Sequence, residues 1–142
     1  MVAAPLRYLL DTNVLSEPMR RAPHATVVQR LAASLDDCAI PAPVLHELEY
    51  GVARLPRSGR RETLTRYITE VVARVPILPY DAVAARWHAR ERARLEKRRT
   101  PAPFVDGQIA AIAAVHRLVV VTRNAGDFSS FEGIDVVDWS VP

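Results

Sequence analysis

The sequence predicts a layered α/β domain built around a mostly parallel sheet. Short apolar runs suited to strands alternate along it with longer segments of helical periodicity. Leu118 to Val121 is apolar at every position, as in a strand covered on both faces. A chain of 142 residues, 49% hydrophobic and 25% charged, suits a single domain over 1–142 that buries about two-thirds of its unfolded surface.

The elements follow in order. Arg7 to Leu10 is the first strand, ending on Asp11. Ser16-Glu17-Pro18 has turn character, and His24 to Leu35 then carries Val27, Val28, Leu31 and Leu35 at helical spacing. Cys38 to Ile40 is a short second strand. The next helix runs from Val44 to about Leu55, with Pro43 suited to its first turn and Val44, Leu48, Val52 and Leu55 as its apolar stripe. Pro56 to Gly59 turns the chain into a helix over Glu62 to Val72. Val75 to Leu78 is a third strand, and Pro76 keeps it short or at an edge. Asp81 is placed to cap a long helix reaching about Lys97. Thr100-Pro101-Ala102-Pro103 separates it from an alanine-rich helix over Val105 to His116, with Ile109, Ile112 and Ala113 inward. Leu118 to Val121 is expected near the sheet centre, and Val136-Val137 closes the chain as a last strand.

Composition narrows the functional classes. No apolar run approaches the ~18 residues that span a bilayer, and no secretory leader is visible, so a cytoplasmic location without membrane contact is expected. Cys38, the only cysteine, has no partner for an internal disulfide and reads as a small buried hydrophobe. A net charge of +3 permits a polyanionic partner without requiring one. Lys97 is the only lysine among 19 basic residues, a skew that genomic base composition explains as readily as phosphate binding.

Four acids carry the chemistry. Asp11 follows the first strand, and Asp127 follows the fourth through Thr122-Arg123-Asn124. If those strands are parallel neighbours, both loops lie at one rim of the sheet, where ligands collect in open α/β folds. Glu47 and Asp106 are expected in the first turns of their helices, whose N-terminal ends tolerate negative charge by roughly 0.3–1 kcal/mol each. Carboxylates gathered this way repel one another, and burial raises their pKa values. A hard divalent cation relieves both problems. Oxygen donors favour Mg²⁺ or Mn²⁺, and no Cys/His set favours zinc. Such an ion activates water and stabilises charge on a phosphoryl group, so the residues point to metal-dependent phosphate chemistry. Three of the acids also have a structural reading: Asp106 as a helix N-terminal charge, Asp127 as a turn residue, Glu47 as part of a solvated face. Glu49 has an equal claim to Glu47's place. Joint placement at one rim, with Thr12, Asn13 and Asn124 beside two of the acids, favours function.

At these residues the chain resembles the PIN-domain ribonucleases, specifically the VapC-type toxins of toxin–antitoxin pairs. The matching pieces are Leu10-Asp11-Thr12-Asn13-Val14-Leu15-Ser16-Glu17, Glu47-Leu48-Glu49-Tyr50-Gly51, Asp106 with Ile109-Ala110-Ala111, Thr122-Arg123-Asn124 with Asp127-Phe128, and the terminal Val136 to Trp139. Each piece is weak, but the ordered set is specific and spans nearly the whole chain. The resemblance implies a three-layer α/β/α sandwich and Mg²⁺ or Mn²⁺ in an acidic pocket. It makes Asp11 and Asp106 the principal metal ligands, directly or through water. Glu47 and Asp127 complete the pocket, either of them positioning the attacking water. Thr12, Asn13 and Asn124 orient carboxylates or bind substrate phosphate. It further implies RNA as substrate, a small cognate antitoxin covering the site, and a homodimer or toxin–antitoxin hetero-oligomer. One departure concerns the turn before Asp106, where family members often carry glycine and this chain has Arg98-Arg99-Thr100-Pro101.

The remaining candidates read as structure. Six arginines and Lys97 between Arg86 and Arg99 form a solvated face in preference to an RNA path, while Arg54, Arg57, Arg60 and Arg61 suit antitoxin contact at least as well as RNA. His24, His46, His88 and His116 lack metal-ligand spacing, and Trp87 and Trp139 suit core or interface. An aspartyl phosphatase wants a second Asp where Asn13 stands, and a receiver domain wants a late lysine that is absent. A PIN-like RNA-binding or assembly domain without turnover is the alternative from another class.

Overall fold

The computed structural model describes residues 5–142. Five strands form one all-parallel sheet: β1 (Tyr8–Leu10), β2 (Cys38–Pro41), β3 (Ile77–Leu78), β4 (Val119–Val121) and β5 (Asp135–Val137), in the order β3-β2-β1-β4-β5. The centre is therefore β1, with β4 an interior strand beside it. Successive strand residues face opposite sides of a sheet. Leu9 and Leu10 are both fully buried, as are Ala39 and Ile40, and Val120 and Val121. Helices consequently cover both faces, giving three layers. The third strand is short and lies at an edge, as Pro76 requires.

Six helices connect and cover the strands: α1 (Thr12–Leu15), α2 (Ala25–Ser34), α3 (Ala42–Ala53), α4 (Gly59–Glu70), α5 (Ala82–Lys97) and α6 (Phe104–His116). Asp81 accepts the Ala84 N–H at 3.0 Å and caps α5, as its spacing predicts. Pro43 sits in the first turn of α3, where its missing N–H removes no helical bond. Ile109, Ala110, Ala111, Ile112 and Ala113 of α6 are all buried, so this helix lies deep between the sheet and α5.

Between β1 and the turn-like Ser16-Glu17-Pro18, Thr12–Leu15 forms one helical turn capped by Asp11, and Glu17–Met19 continues it as a 3-10 turn. Glu47 is the sixth residue of α3, in its second turn and roughly 7–8 Å along the axis from the helix start.

The topology places one rim for chemistry. Asp11 N–H donates to Val121 O at 3.0 Å and Thr122 N–H to Val137 O at 3.1 Å, so the ladders run one residue past the strand ends. Asp11 and Thr122 therefore lie side by side where β1 and β4 stop. Because α6 leads directly into β4, it runs antiparallel to the strands, and its first turn with Asp106 returns to that rim. Among the described residues no helix is long and apolar enough to cross a membrane.

Candidate active site

Asp11 has both carboxylate oxygens engaged. Oδ1 accepts the Thr12 N–H at 2.8 Å, and Oδ2 accepts the Thr122 hydroxyl at 2.9 Å. Thr122 is fully buried and also accepts, from the Asn124 N–H at 3.0 Å and Asn13 Nδ2 at 3.3 Å. Asn13 Oδ1 takes the Arg123 N–H at 3.1 Å. Thr122 thus ties together Asp11, Asn13 and Asn124, three of the residues singled out from sequence, yet it was not among them. Thr12 contributes backbone groups: its N–H holds Asp11, and its carbonyl accepts Ser16 Oγ at 2.6 Å.

The electrostatics show which acids are near one another. Burial raises the Asp11 carboxyl above its ordinary value, the hydrogen bonds from Thr122 and Thr12 pull it back, and the charge of Asp127 raises it again. Asp106 is pushed up to about 6, first by burial and then by the charges of Asp11 and Asp127. These three aspartates share one electrostatic neighbourhood. Asp127 reaches it from the exposed 3-10 turn Ala125–Phe128, anchored by buried Phe128.

Glu47 projects from α3, a different element from those that carry the three aspartates. Its side chain is about half exposed, with Oε1 at 3.9 Å from His46 Nδ1, and it lines a groove between α3 and α4. Glu49 is exposed.

Sequence reasoning also missed Glu17, which reads as part of a surface turn but is 1% exposed. Burial pushes its carboxyl up, but hydrogen bonds from the His24 N–H, Arg123 and Arg20 outweigh that and hold it below the usual range. The signal lay in the Leu15-Ser16-Glu17 stretch of the first motif. No local pattern reveals the Arg123 partner, 106 positions away.

No three His, Cys, Asp or Glu side chains among the described residues stand close enough to cage an ion as they are. The donor set nevertheless suits a hard cation. Mg²⁺ keeps several waters and takes one or two carboxylates in place of an all-protein cage. Asp11, Asp106 and Asp127 offer carboxylate oxygen under mutual repulsion, the condition a cation relieves.

A family model described as PIN domain matches residues 8–133. The chain belongs to the PIN domain family. Among similar proteins, Toxin FitB of Neisseria gonorrhoeae is 36% identical over 124 residues, covering 84% of this chain and 89% of the relative. The tRNA(fMet)-specific endonuclease VapC of Shigella flexneri is 32% identical over 135 residues, covering 95% and 99%. The solved structure of FitAcB from Neisseria gonorrhoeae superposes with a TM-score of 0.87 at 32% identity, over 95% of this chain and 99% of that one. A member of the VapBC family of toxin–antitoxin systems, VapBC-5 from Mycobacterium tuberculosis, gives 0.70 at 29% identity, over 94% and 98%. The three-layer arrangement is thus that of a PIN domain.

Within this PIN domain the other polar candidates have structural partners. Arg98–Glu132 and Arg92–Glu96 are surface pairs worth little individually. Arg94 instead pairs with buried Glu91, which also accepts the Glu132 N–H at 2.9 Å, so this part of the arginine-rich helix is structural and not a solvated pair. His88 is buried against Tyr80 with Nδ1 at 2.7 Å from the hydroxyl, and His24 Nδ1 accepts the Val27 N–H at 3.4 Å to cap α2. His116 ends α6. Trp139 is buried edge-on to Tyr8, and Trp87 packs beside Phe131. Burial pushes the Cys38 thiol up to about 12, which makes it inert.

Proposed function

We propose that this PIN-domain protein is the ribonuclease toxin of a toxin–antitoxin pair, hydrolysing RNA phosphodiester bonds at Asp11, Asp106 and Asp127 with Mg²⁺ or Mn²⁺. What supports the reading is the placement of Asp11 beside Thr122 where adjacent parallel strands β1 and β4 end, with Asp106 in the first turn of α6 and raised by the charges of Asp11 and Asp127. The names of the relatives, a toxin and an RNA endonuclease, agree with this reading.

The bound cation supplies a lowered pKa for attacking water and charge stabilisation on the phosphoryl oxygens. The protein's own residues do the rest. Thr122 and the Thr12 N–H fix Asp11 so that its carboxylate faces the rim without rotating. Asp106 and Asp127 complete the ligand set, and a carboxylate among them takes the proton of the attacking water. Glu47 borders the site from α3 and positions water or substrate at its edge. Asn13 and Asn124, pinned through Thr122, offer amide groups to substrate phosphate.

The antitoxin completes the assembly. A groove of about 330 Å³ runs between α3 and α4, floored by Leu48, Val52, Leu64 and Ile68 and bordered by Glu47 and Arg54. An extended or helical antitoxin segment with apolar side chains fits that floor and covers the acidic rim beside it. Toxin and antitoxin then form the hetero-oligomer, with the toxin as a dimer.

RNA cleavage by wild type and Asp11→Asn, each with Mg²⁺ and with chelator, tests the proposal. Cleavage is expected only for wild type with metal. Equal degradation by both proteins would place the activity elsewhere.

A further inference from the structure

A second cleft lies beside the acidic rim, about 430 Å³ in volume and lined by Asn13, Ser16, Glu17, Arg20, Arg123 and Asn124. Arg20 follows the first 3-10 turn, and Arg123 follows β4, so the two approach from distant parts of the chain. They meet on one carboxylate. Glu17 Oε2 lies 3.0 Å from an Arg123 Nη, and both its oxygens lie 3.3–3.4 Å from an Arg20 Nη. Glu17 also accepts the His24 N–H at 2.8 Å, which fixes its orientation. Arg123 is held at its backbone too, through Asn13.

One carboxylate facing two guanidiniums leaves an uncompensated positive charge in the cleft. A staple between loops needs one cation and no exposed donors. Here both arginine side chains remain partly open, 27% for Arg123 and 57% for Arg20, and they face a cleft whose other lining is amide and hydroxyl. A guanidinium held along one edge still presents N–H donors on another, and its planar fork matches phosphate oxygens.

We propose that Arg20 and Arg123, aimed by the buried carboxylate of Glu17, form a phosphate-binding subsite for the RNA strand next to the scissile bond. The subsite rests on the ribonuclease reading for its ligand. It answers a need of that reading, since an acidic rim repels the flanking phosphates of the strand it cuts. Glu17 is a positioning residue; the two arginines touch the RNA.

The test measures binding of a short single-stranded RNA to the Asp11→Asn protein without divalent cation, across a salt series. Arg123→Ala and Arg20→Ala should each weaken binding about tenfold. Each should also flatten the slope of log affinity against log salt by about 0.7. Arg123→Lys should keep the slope and lose part of the affinity, because it keeps the charge and loses the fork. Glu17→Gln separates aiming from charge cancellation: it adds net positive charge, so tighter RNA binding would overturn the positioning role, and weaker binding supports it. Melting curves confirm that each variant folds. Unchanged affinity and slope in folded Arg123→Ala overturns the subsite. Cleavage by the wild-type background with Mg²⁺ is scored separately, so loss of the subsite and loss of the ribonuclease reading give different results.

Discussion

Thr122 donates its hydroxyl proton to Oδ2 of Asp11 at 2.9 Å, across the seam between β1 and β4. Oγ1 of Thr122 in turn accepts from the Asn124 N–H and from Asn13 Nδ2, so one buried hydroxyl sets three site residues. Thr122→Val keeps the shape and removes the hydroxyl. It should destabilise the fold by about 1–3 kcal/mol, because polar partners lose their bond in a buried place. Asp11 should titrate at higher pH, since a bond that lowers its pKa is gone. RNA cleavage should fall at neutral pH and partly recover at higher pH. A pH–rate profile beside a denaturant melt checks both parts.

Asp106 ties function to stability with a definite sign. Its folded pKa, about 6, lies above the ordinary 3.8, so the folded state disfavours the charged form. The penalty is absent below about pH 4, grows as pH rises through the window from 4 to 6, and is complete above it. It amounts to at most about 3 kcal/mol, less what solvent screens. Asp106→Asn should therefore raise the melting temperature of metal-free protein at pH 7 and leave it nearly unchanged at pH 4. The same variant should lose RNA cleavage. Calorimetry at the two pH values decides the sign.

Arg99 occupies left-handed backbone, φ 59°, in the turn between α5 and α6. The Thr100 N–H reaches Leu95 O at 2.9 Å and the Arg99 N–H reaches Glu96 O at 3.1 Å, the paired bonds of a helix end that glycine normally makes. Arg99→Gly removes a backbone penalty of about 1–2 kcal/mol and loses part of that to the greater freedom of unfolded glycine. A net gain of about 0.5–1 kcal/mol is expected. A thermal melt should move up by about 1–4 °C.

Gly107, next to Asp106, has no room for a methyl group. A Cβ there would lie 2.2 Å from Nε2 of His88, itself held by Tyr80. Gly107→Ala should push α6 from α5, destabilise the protein by about 1–3 kcal/mol and displace Asp106. Pairing it with His88→Ala should restore part of the loss. A double-mutant cycle with a coupling near zero would deny the contact this role.

The first strand, the Asp81 cap, Pro43 in the first turn of its helix and the edge placement of the third strand all follow from local chemistry that periodicity or punctuation exposes. The missing glycine at Arg99 was also visible as an oddity, and its backbone explains why. Glu17 and Thr122 were not singled out because their importance comes from partners more than a hundred residues away. Glu47 shows a different limit. Its type and helix were legible, and the helix begins at Ala42 and not Val44, which leaves Glu47 in the second turn; its distance from the aspartates depends on tertiary packing that no local pattern carries.

Mn²⁺ titration by calorimetry on wild type, Asp11→Asn and Asp106→Asn at pH 7 decides whether these aspartates hold the ion. Wild type should bind, and each variant should bind at least about tenfold more weakly. Equal Mn²⁺ affinity in all three folded proteins would rule out a metal site at the rim.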